Sequence, residues 1–272
     1  MRLGLIGFGN IATALLGLLA EGAPLEHLSV LVRPGAAPEA RRRLDGELAA
    51  AARGRSLVED AAGLLADRPD LVVECAGHAA ASAHAPAVLR AGVDVVLVSV
   101  GALADPALEA ALRAAAAEGG ARLVLPAGAV GAIDLLAALG AAGGLAVRYR
   151  GTKPPAAWAG TPAAGILDLA ALAEPKVFFA GTAREAALAY PKNANVAATL
   201  ALAGAGFEAT EVELVADPSA PGNVHEYSVA SPLANYTIRI ENQPSPGNAK
   251  TSATTIYSVL REIRNRRGPV AI

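Results

Sequence analysis

Apolar positions in the first half of the chain form short, nearly continuous runs separated by alanine- and leucine-rich stretches with helical spacing. Leu71-Val72-Val73 and Val93-Asp94-Val95-Val96-Leu97-Val98 are nearly continuous in apolar residues, as expected for strands whose two faces are covered. The pattern predicts strands near residues 2–7, 28–33, 56–58, 71–75, 93–99 and 122–126, with helices near 11–21, 39–52, 79–91 and 106–118. Strands alternating with helices in this way imply a doubly wound parallel sheet.

After about Gly128 the texture changes. Glu211-Val212-Glu213-Leu214-Val215 and Tyr236-Thr237-Ile238-Arg239-Ile240 alternate strictly, which implies one buried and one wetter face. The stretch from Gly131 to Val147 reads as a buried helix running into a strand. The Pro/Gly/Asn cluster at residues 242–248 ends the pattern, and residues 251–266 read as one terminal helix with Ile256, Val259, Leu260 and Ile263 on one side. The expected organisation is α/β: residues 1–127, completed by 249–272, form a doubly wound domain, and residues 128–248 form a second, α+β domain.

Composition narrows the function classes. Lys+Arg 23 against Asp+Glu 25 gives a formal charge of −2, which supplies no positive field for nucleic acid. The single cysteine, Cys75, excludes an internal disulfide framework and any multi-cysteine metal site, in keeping with a cytoplasmic location. Arg2 followed by apolar residues also resembles the start of a secretory leader, but Gly4, Gly7, Gly9 and Gly17 interrupt the run and Asn10 and Thr13 are polar. Neither a leader nor a membrane span is expected.

Gly7-Phe8-Gly9-Asn10-Ile11-Ala12 is a G-x-G-x-x-A that follows an apolar strand and opens a helix. Such a string alone also occurs in structural turns; at the head of a strand-helix series it points to dinucleotide binding. The glycines permit a tight turn and close approach of a pyrophosphate to the helix N-terminus, which gives the first domain a Rossmann-type reading. At the end of the second predicted strand stands Arg33 rather than an acid, so a 2′-phosphate is as acceptable as a hydroxyl and both NAD and NADP are expected. The alternative is that Arg33 is solvated or stacks on adenine. His78 either contacts a ligand or begins a helix, and Cys75 reads as a small buried hydrophobe. No metal site is expected.

Polar residues in the second half stand out against its apolar background. Gly151-Thr152-Lys153-Pro154-Pro155 presents a lysine in what reads as a proline-braced loop. Asn193 and Asn195 open a helix expected to reach Ala205, where amides either cap the helix or face a ligand. His225, on a predicted strand, is either a satisfied structural residue or a group that titrates near neutral pH.

Taken together, these segments resemble the L-aspartate dehydrogenase family nearly end to end. The match is carried by Gly7 to Ile11, Leu125-Pro126-Ala127-Gly128-Ala129-Val130-Gly131, Gly151 to Pro155, Tyr190-Pro191-Lys192-Asn193-Ala194-Asn195-Val196-Ala197-Ala198, Asn223-Val224-His225 and Asn248-Ala249-Lys250-Thr251-Ser252. Tyr190 stands where a phenylalanine is expected. The resemblance implies an oxidoreductase with His225 as the active-site residue, and with Ala129 and Asn195 joining Gly7, Phe8, Gly9, Asn10, Ile11 and Arg33 in holding the cofactor. Lys153 and Asn193 are expected to contact substrate carboxylates. It further implies NAD(P)-dependent conversion of L-aspartate to iminoaspartate, oxaloacetate and ammonia, reversibly, feeding pyridine nucleotide biosynthesis, and a homodimer formed through the second domain. A dehydrogenase or reductase of another small amino or oxo dicarboxylate, or a non-catalytic dinucleotide binder, is the competing expectation.

Overall fold

The computed structural model describes residues 1–191, 194–245 and 248–272, leaving the side chains of Ala249 and Lys250 aside. The chain divides into two compact units, Met1–Pro126 with Ile256–Ile272, and Ala127–Thr255.

In the first unit β1 (Arg2–Ile6), β2 (Leu25–Leu31), β3 (Ala52–Val58), β4 (Leu71–Glu74), β5 (Val95–Leu97) and β6 (Leu123–Val124) form one six-stranded sheet in the order β3-β2-β1-β4-β5-β6. Every pairing is parallel, with Leu3 facing Leu28 on one side and Leu71 on the other. The order reverses between β1 and β4, the switch point at which such sheets leave a crevice. The connecting helices are α1 (Asn10–Ala20), α2 (Ala37–Asp45), α3 (Ala61–Ala66), α4 (His78–Arg90) and α5 (Pro106–Gly119). Asp60 and Asp105 cap α3 and α5 by accepting from Gly63 N and Ala107 N. A Cβ on Gly119 would lie 1.9 Å from the Leu89 carbonyl oxygen, so only glycine allows α5 to end that close to α4.

The sheet and its fold class agree with the sequence pattern, and three local differences have physical causes. The helix expected over 39–52 stops at Asp45, where Gly46 closes the last turn by donating to the Arg42 carbonyl; Ala52 already pairs with Leu25 in β3. β2 ends at Leu31, two residues before Arg33. The short helix α3 lacks enough periodic residues to announce itself.

The second unit contains α6 (Ile133–Gly140), β7 (Ala146–Lys153), β8 (Lys176–Thr182), α7 (Ala183–Ala189), α8 (Asn195–Ala203), β9 (Thr210–Ala216), β10 (Asn223–Ala230), β11 (Asn235–Asn242), β12 (Pro244–Ser245) and β13 (Asn248–Ser252). Five strands form a mixed sheet in the order β11-β10-β7-β9-β8, parallel between β7 and β9 and antiparallel elsewhere, and β12 and β13 form a small ribbon. Strand alternation gives the sheet two unlike faces. Val147, Tyr149, Gly151 and Lys153 of β7 are buried, whereas Arg148 and Arg150 point to the exposed face, where they pair with Glu211 at 2.8 Å and Glu213 at 2.6 Å.

The terminal helix α9 (Ala253–Arg267) begins two residues later than expected because Asn248–Ser252 is spent in β13. Ile256, Val259, Leu260 and Ile263 are each at most 3% exposed and join the core of the first unit, beside Leu3, Leu15, Leu28 and Val96. Near its start Asn242 donates to the Ala129 carbonyl at 2.9 Å and accepts from the Thr254 hydroxyl, joining three distant pieces of the second unit. Among the described residues, no helix is long and apolar enough to cross a membrane.

Candidate active site

The glycine fingerprint sits at the carboxyl end of β1. Gly7 N donates to the Leu31 carbonyl at 2.9 Å, which fixes the turn against β2. Gly7 has φ +99°, and a Cβ there would strike the Ala76 Cβ at 2.6 Å. A side chain at this position is therefore both strained and blocked. Gly9 is the N-cap of α1, gives it no side-chain cap, and faces open space where its Cβ would be. Phe8 lies under the Arg43 guanidinium, 5.3 Å from the ring centroid, and Asn10 and Ile11 open the helix. A helix N-terminus with room for a ligand backbone and a capping glycine that brings no side chain to its amides fits the diphosphate of a dinucleotide. Arg33 is exposed in the turn after β2, where its carbonyl accepts from Ala36 N at 3.0 Å.

Two further pieces of the first unit flank the fingerprint. His78 is the first residue of α4, as one reading of the sequence has it, behind Gly77 at φ +112°. Glu74, wholly buried at the end of β4, was not singled out by the sequence. Its carboxylate accepts from Ala76 N and Gly77 N at 2.8 Å, and from Ser99 N and the Ser99 hydroxyl at 3.0 Å. Burial raises its pKa, and these four donors pull the other way. The sequence signal was a lone acid closing an otherwise apolar strand. Cys75 is partly buried, with its thiol pushed up by burial.

In the second unit the buried sheet face brings together Tyr149, Lys153 and His225. Gly151 of β7 is in register with His225 of β10. A Cβ on Gly151 would lie 2.6 Å from the Tyr149 hydroxyl, so the missing side chain makes room for the phenol to reach the next strand. There the hydroxyl meets His225 Nδ1 at 2.7 Å, with the rings stacked 6.0 Å apart. His225 is 3% exposed, and its pKa falls to about 3 through burial first and the Lys153 ammonium second. The imidazole is thus neutral at pH 7 rather than titrating near neutrality.

Lys153 is a strand residue, correcting the loop expected from the prolines that follow it: it pairs with Ala216 in β9, and the chain leaves the sheet at Pro154. It is 3% exposed, with Nζ 5.4 Å from the centroid of Trp158. Asn195 is the first residue of α8 and is not its cap, since Ala194 occupies that position; α8 ends at Ala203 rather than Ala205 because Gly204 follows. Ala129 is buried, its carbonyl held by Asn242. Asn193 lies outside the described residues. Among the described residues, no cluster of three or more His, Cys, Asp or Glu is placed to hold a metal ion.

Fold and fingerprint define the first unit as the nicotinamide-dinucleotide domain of a dehydrogenase. Residues 7–126 match the family described as the NAD binding domain of homoserine dehydrogenase, and residues 134–266 match the family described as aspartate dehydrogenase, C-terminal. The chain is 47% identical over 266 residues to an L-aspartate dehydrogenase of Ruegeria pomeroyi, covering 98% of this chain and 92% of that one. It is 42% identical to an L-aspartate dehydrogenase of Pseudomonas aeruginosa, with 98% of each chain covered. A crystal structure of aspartate dehydrogenase from Thermotoga maritima superposes with a TM-score of 0.76 at 27% identity, over 100% of this chain and 99% of that one. A hyperthermophilic archaeal homoserine dehydrogenase in complex with NADPH shares the fold, with a TM-score of 0.55 at 13% identity. The chain belongs to the L-aspartate dehydrogenase family.

Proposed function

We propose that the chain catalyses the reversible NAD(P)-dependent oxidative deamination of L-aspartate to iminoaspartate, which hydrolyses to oxaloacetate and ammonia. The observation that carries this reading is the buried Tyr149–His225 pair beside Lys153, in the unit that matches the aspartate dehydrogenase family. When bound, the nicotinamide accepts hydride from the substrate carbon or returns it. The chain's own residues orient the substrate and handle its protons. Lys153 attracts a substrate carboxylate, with Asn193 as a second donor, and the burial of Lys153 in the sheet keeps bulk water away from its ammonium, which strengthens the attraction. His225 exchanges protons with the substrate nitrogen and with the water that attacks the imine. Burial holds the His225 pKa low first and the Lys153 ammonium second, and a carboxylate seated by Lys153 offsets that second, smaller part.

Gly7, Phe8, Gly9, Asn10 and Ile11 would hold the diphosphate, Ala129 and Asn195 would join them in holding the cofactor, and Arg33 would accept a 2′-phosphate, so both NAD and NADP serve. The exposed sheet face is where a second copy docks: its hollow of about 650 Å³ is lined by Arg148, Arg150, Glu211 and Glu213, a mixed-charge surface suited to self-pairing about a two-fold axis. The reaction takes place in the cytoplasm and feeds pyridine nucleotide synthesis. Steady-state assays following reduced nicotinamide test the substrate, using L-aspartate, other amino dicarboxylates and each cofactor. Turnover of another dicarboxylate well above that of L-aspartate sinks the reading.

A further inference from the structure

The Tyr149–His225 contact fixes more than the position of a ring. A neutral imidazole has one donor and one acceptor nitrogen, and which is which follows from the hydrogen bonds around it. Among the described residues, His225 Nδ1, at 2.7 Å, is the one hydrogen-bond partner of the Tyr149 hydroxyl. Were Nδ1 protonated, it would donate to the phenol oxygen, and the phenol proton would have no acceptor in a site where Tyr149 is 2% exposed. Leaving a buried donor unmade costs more than a hydrogen bond is worth. The phenol therefore donates, Nδ1 accepts, and the ring proton sits on Nε2.

We propose that Tyr149 is a positioning residue that locks His225 in its Nε2–H tautomer, and that Gly151 is the space in which this lock is built. The proposal rests on the reading of His225 as the proton-handling residue. It gives that residue a definite starting state: the nitrogen left for substrate is a donor, ready to hydrogen-bond a carboxylate oxygen or an imine nitrogen. Nε2 becomes an acceptor only after its own proton has left to substrate or water and Nδ1 has taken one up, with the Tyr149 hydroxyl turned so that Nδ1–H donates to the phenol oxygen. Tyr149 thus sets the threshold for charging the ring. The influences on His225 among the described residues agree in direction: burial disfavours the imidazolium most, Lys153 repels it, and the phenol O–H satisfies the lone pair that exists at Nδ1 only in the neutral ring. The burial of Tyr149 keeps its own proton on, since desolvation raises the phenol pKa. The ring from β7 reaches this position because Gly151 offers no Cβ to block it.

Two variants separate this role from mere packing. Tyr149→Phe removes the donor and keeps the ring. Gly151→Ala keeps the donor and pushes it away, because the new Cβ would sit 2.6 Å from the hydroxyl. Nitrogen-15 spectra of the histidine ring in the full-length protein should show Nδ1 unprotonated and Nε2 protonated, with that pattern lost in both variants. The acid limb of kcat/KM for L-aspartate should move up by about one pH unit in both, the shift that matches one ordinary hydrogen bond. kcat should fall about 10- to 100-fold, as when the partner that orients a functional imidazole is removed. A wild-type spectrum with the proton on Nδ1 overturns the proposal, as does a pair of variants that lose melting temperature while their pH limbs stay in place. Failure of the functional reading looks different. If L-aspartate is not the substrate, the ring spectra still report the tautomer.

Discussion

Acid should weaken the second unit mainly through one imidazole. His225 titrates at about 3 when folded against 6.5 for the free side chain, so between these values the unfolded chain holds a proton that the native one refuses. A depressed folded pKa means that stability is complete above pH 6.5 and lost as pH falls toward 3. Each pH unit in the window is worth about 1.4 kcal/mol, so pH 4 should cost about 3 kcal/mol through this group alone. Against a typical net stability of about 5–15 kcal/mol, that is a large share. The measurement is favoured by composition: the chain has one tryptophan, Trp158, fully buried in the second unit, so its fluorescence follows that unit's unfolding. Denaturant titrations at pH 7, 6, 5 and 4 should be compared for the wild type and His225→Gln, whose amide oxygen still accepts from Tyr149. Carboxylates titrate equally in both proteins and drop out of the difference. The gap between the two should narrow or reverse by about 3 kcal/mol from pH 7 to pH 4. Parallel curves would show that the imidazole is charged in the native state and would refute the burial argument.

Other outcomes test other parts of the molecule. His225→Ala should leave cofactor affinity nearly unchanged and lower kcat by about 10²- to 10⁴-fold; retention of more than about a third of wild-type turnover would remove His225 from the mechanism. Arg33→Asp should raise KM for NADP relative to NAD, and an unchanged ratio of the two KM values would exclude a phosphate contact. Ile263→Ala, at a position with no exposure, should cost the first unit about 2–5 kcal/mol in thermal or denaturant unfolding, whereas less than about 1 kcal/mol would mean that α9 docks loosely. Gly7→Ala should abolish dinucleotide binding, because the added carbon meets Ala76 at 2.6 Å; near-native affinity would show that the turn yields.

The first unit was legible because its signals were local. An apolar strand, two glycines and a helix in succession state β1, the turn and α1 without outside help, and the isoleucine, valine and leucine stripe of α9 announces a buried face. Errors arose where neighbours in space overrule composition. Alanines 49–52 favour helix by propensity, yet Ala52 belongs to β3 because Leu25 is there to pair with it. Lys153 looked like loop because two prolines follow, while the strand it closes is held by Ala216, far along the chain. His225, Lys153 and Asn195 stood out as polar residues in apolar company. Tyr149 did not, since its significance depends on a hydroxyl meeting a residue 76 positions away across the gap left by Gly151. Glu74 stood in plain view at a strand end, but the backbone donors that surround it belong to loops whose approach no periodicity encodes.

The first unit is assembled from two stretches of chain that flank the second, and this shapes how the protein is made. During synthesis the six strands of its sheet emerge first, and Ile256, Val259, Leu260 and Ile263 leave the ribosome only after the whole of the second unit. All of Ala127–Thr255 is translated in between, on the order of ten seconds at about 5–20 residues per second. Throughout that interval the nascent sheet carries an uncovered apolar strip where α9 will lie, beside Leu3, Leu15 and Leu28. A polypeptide that stops before Ile256 lacks the four α9 side chains that complete this core.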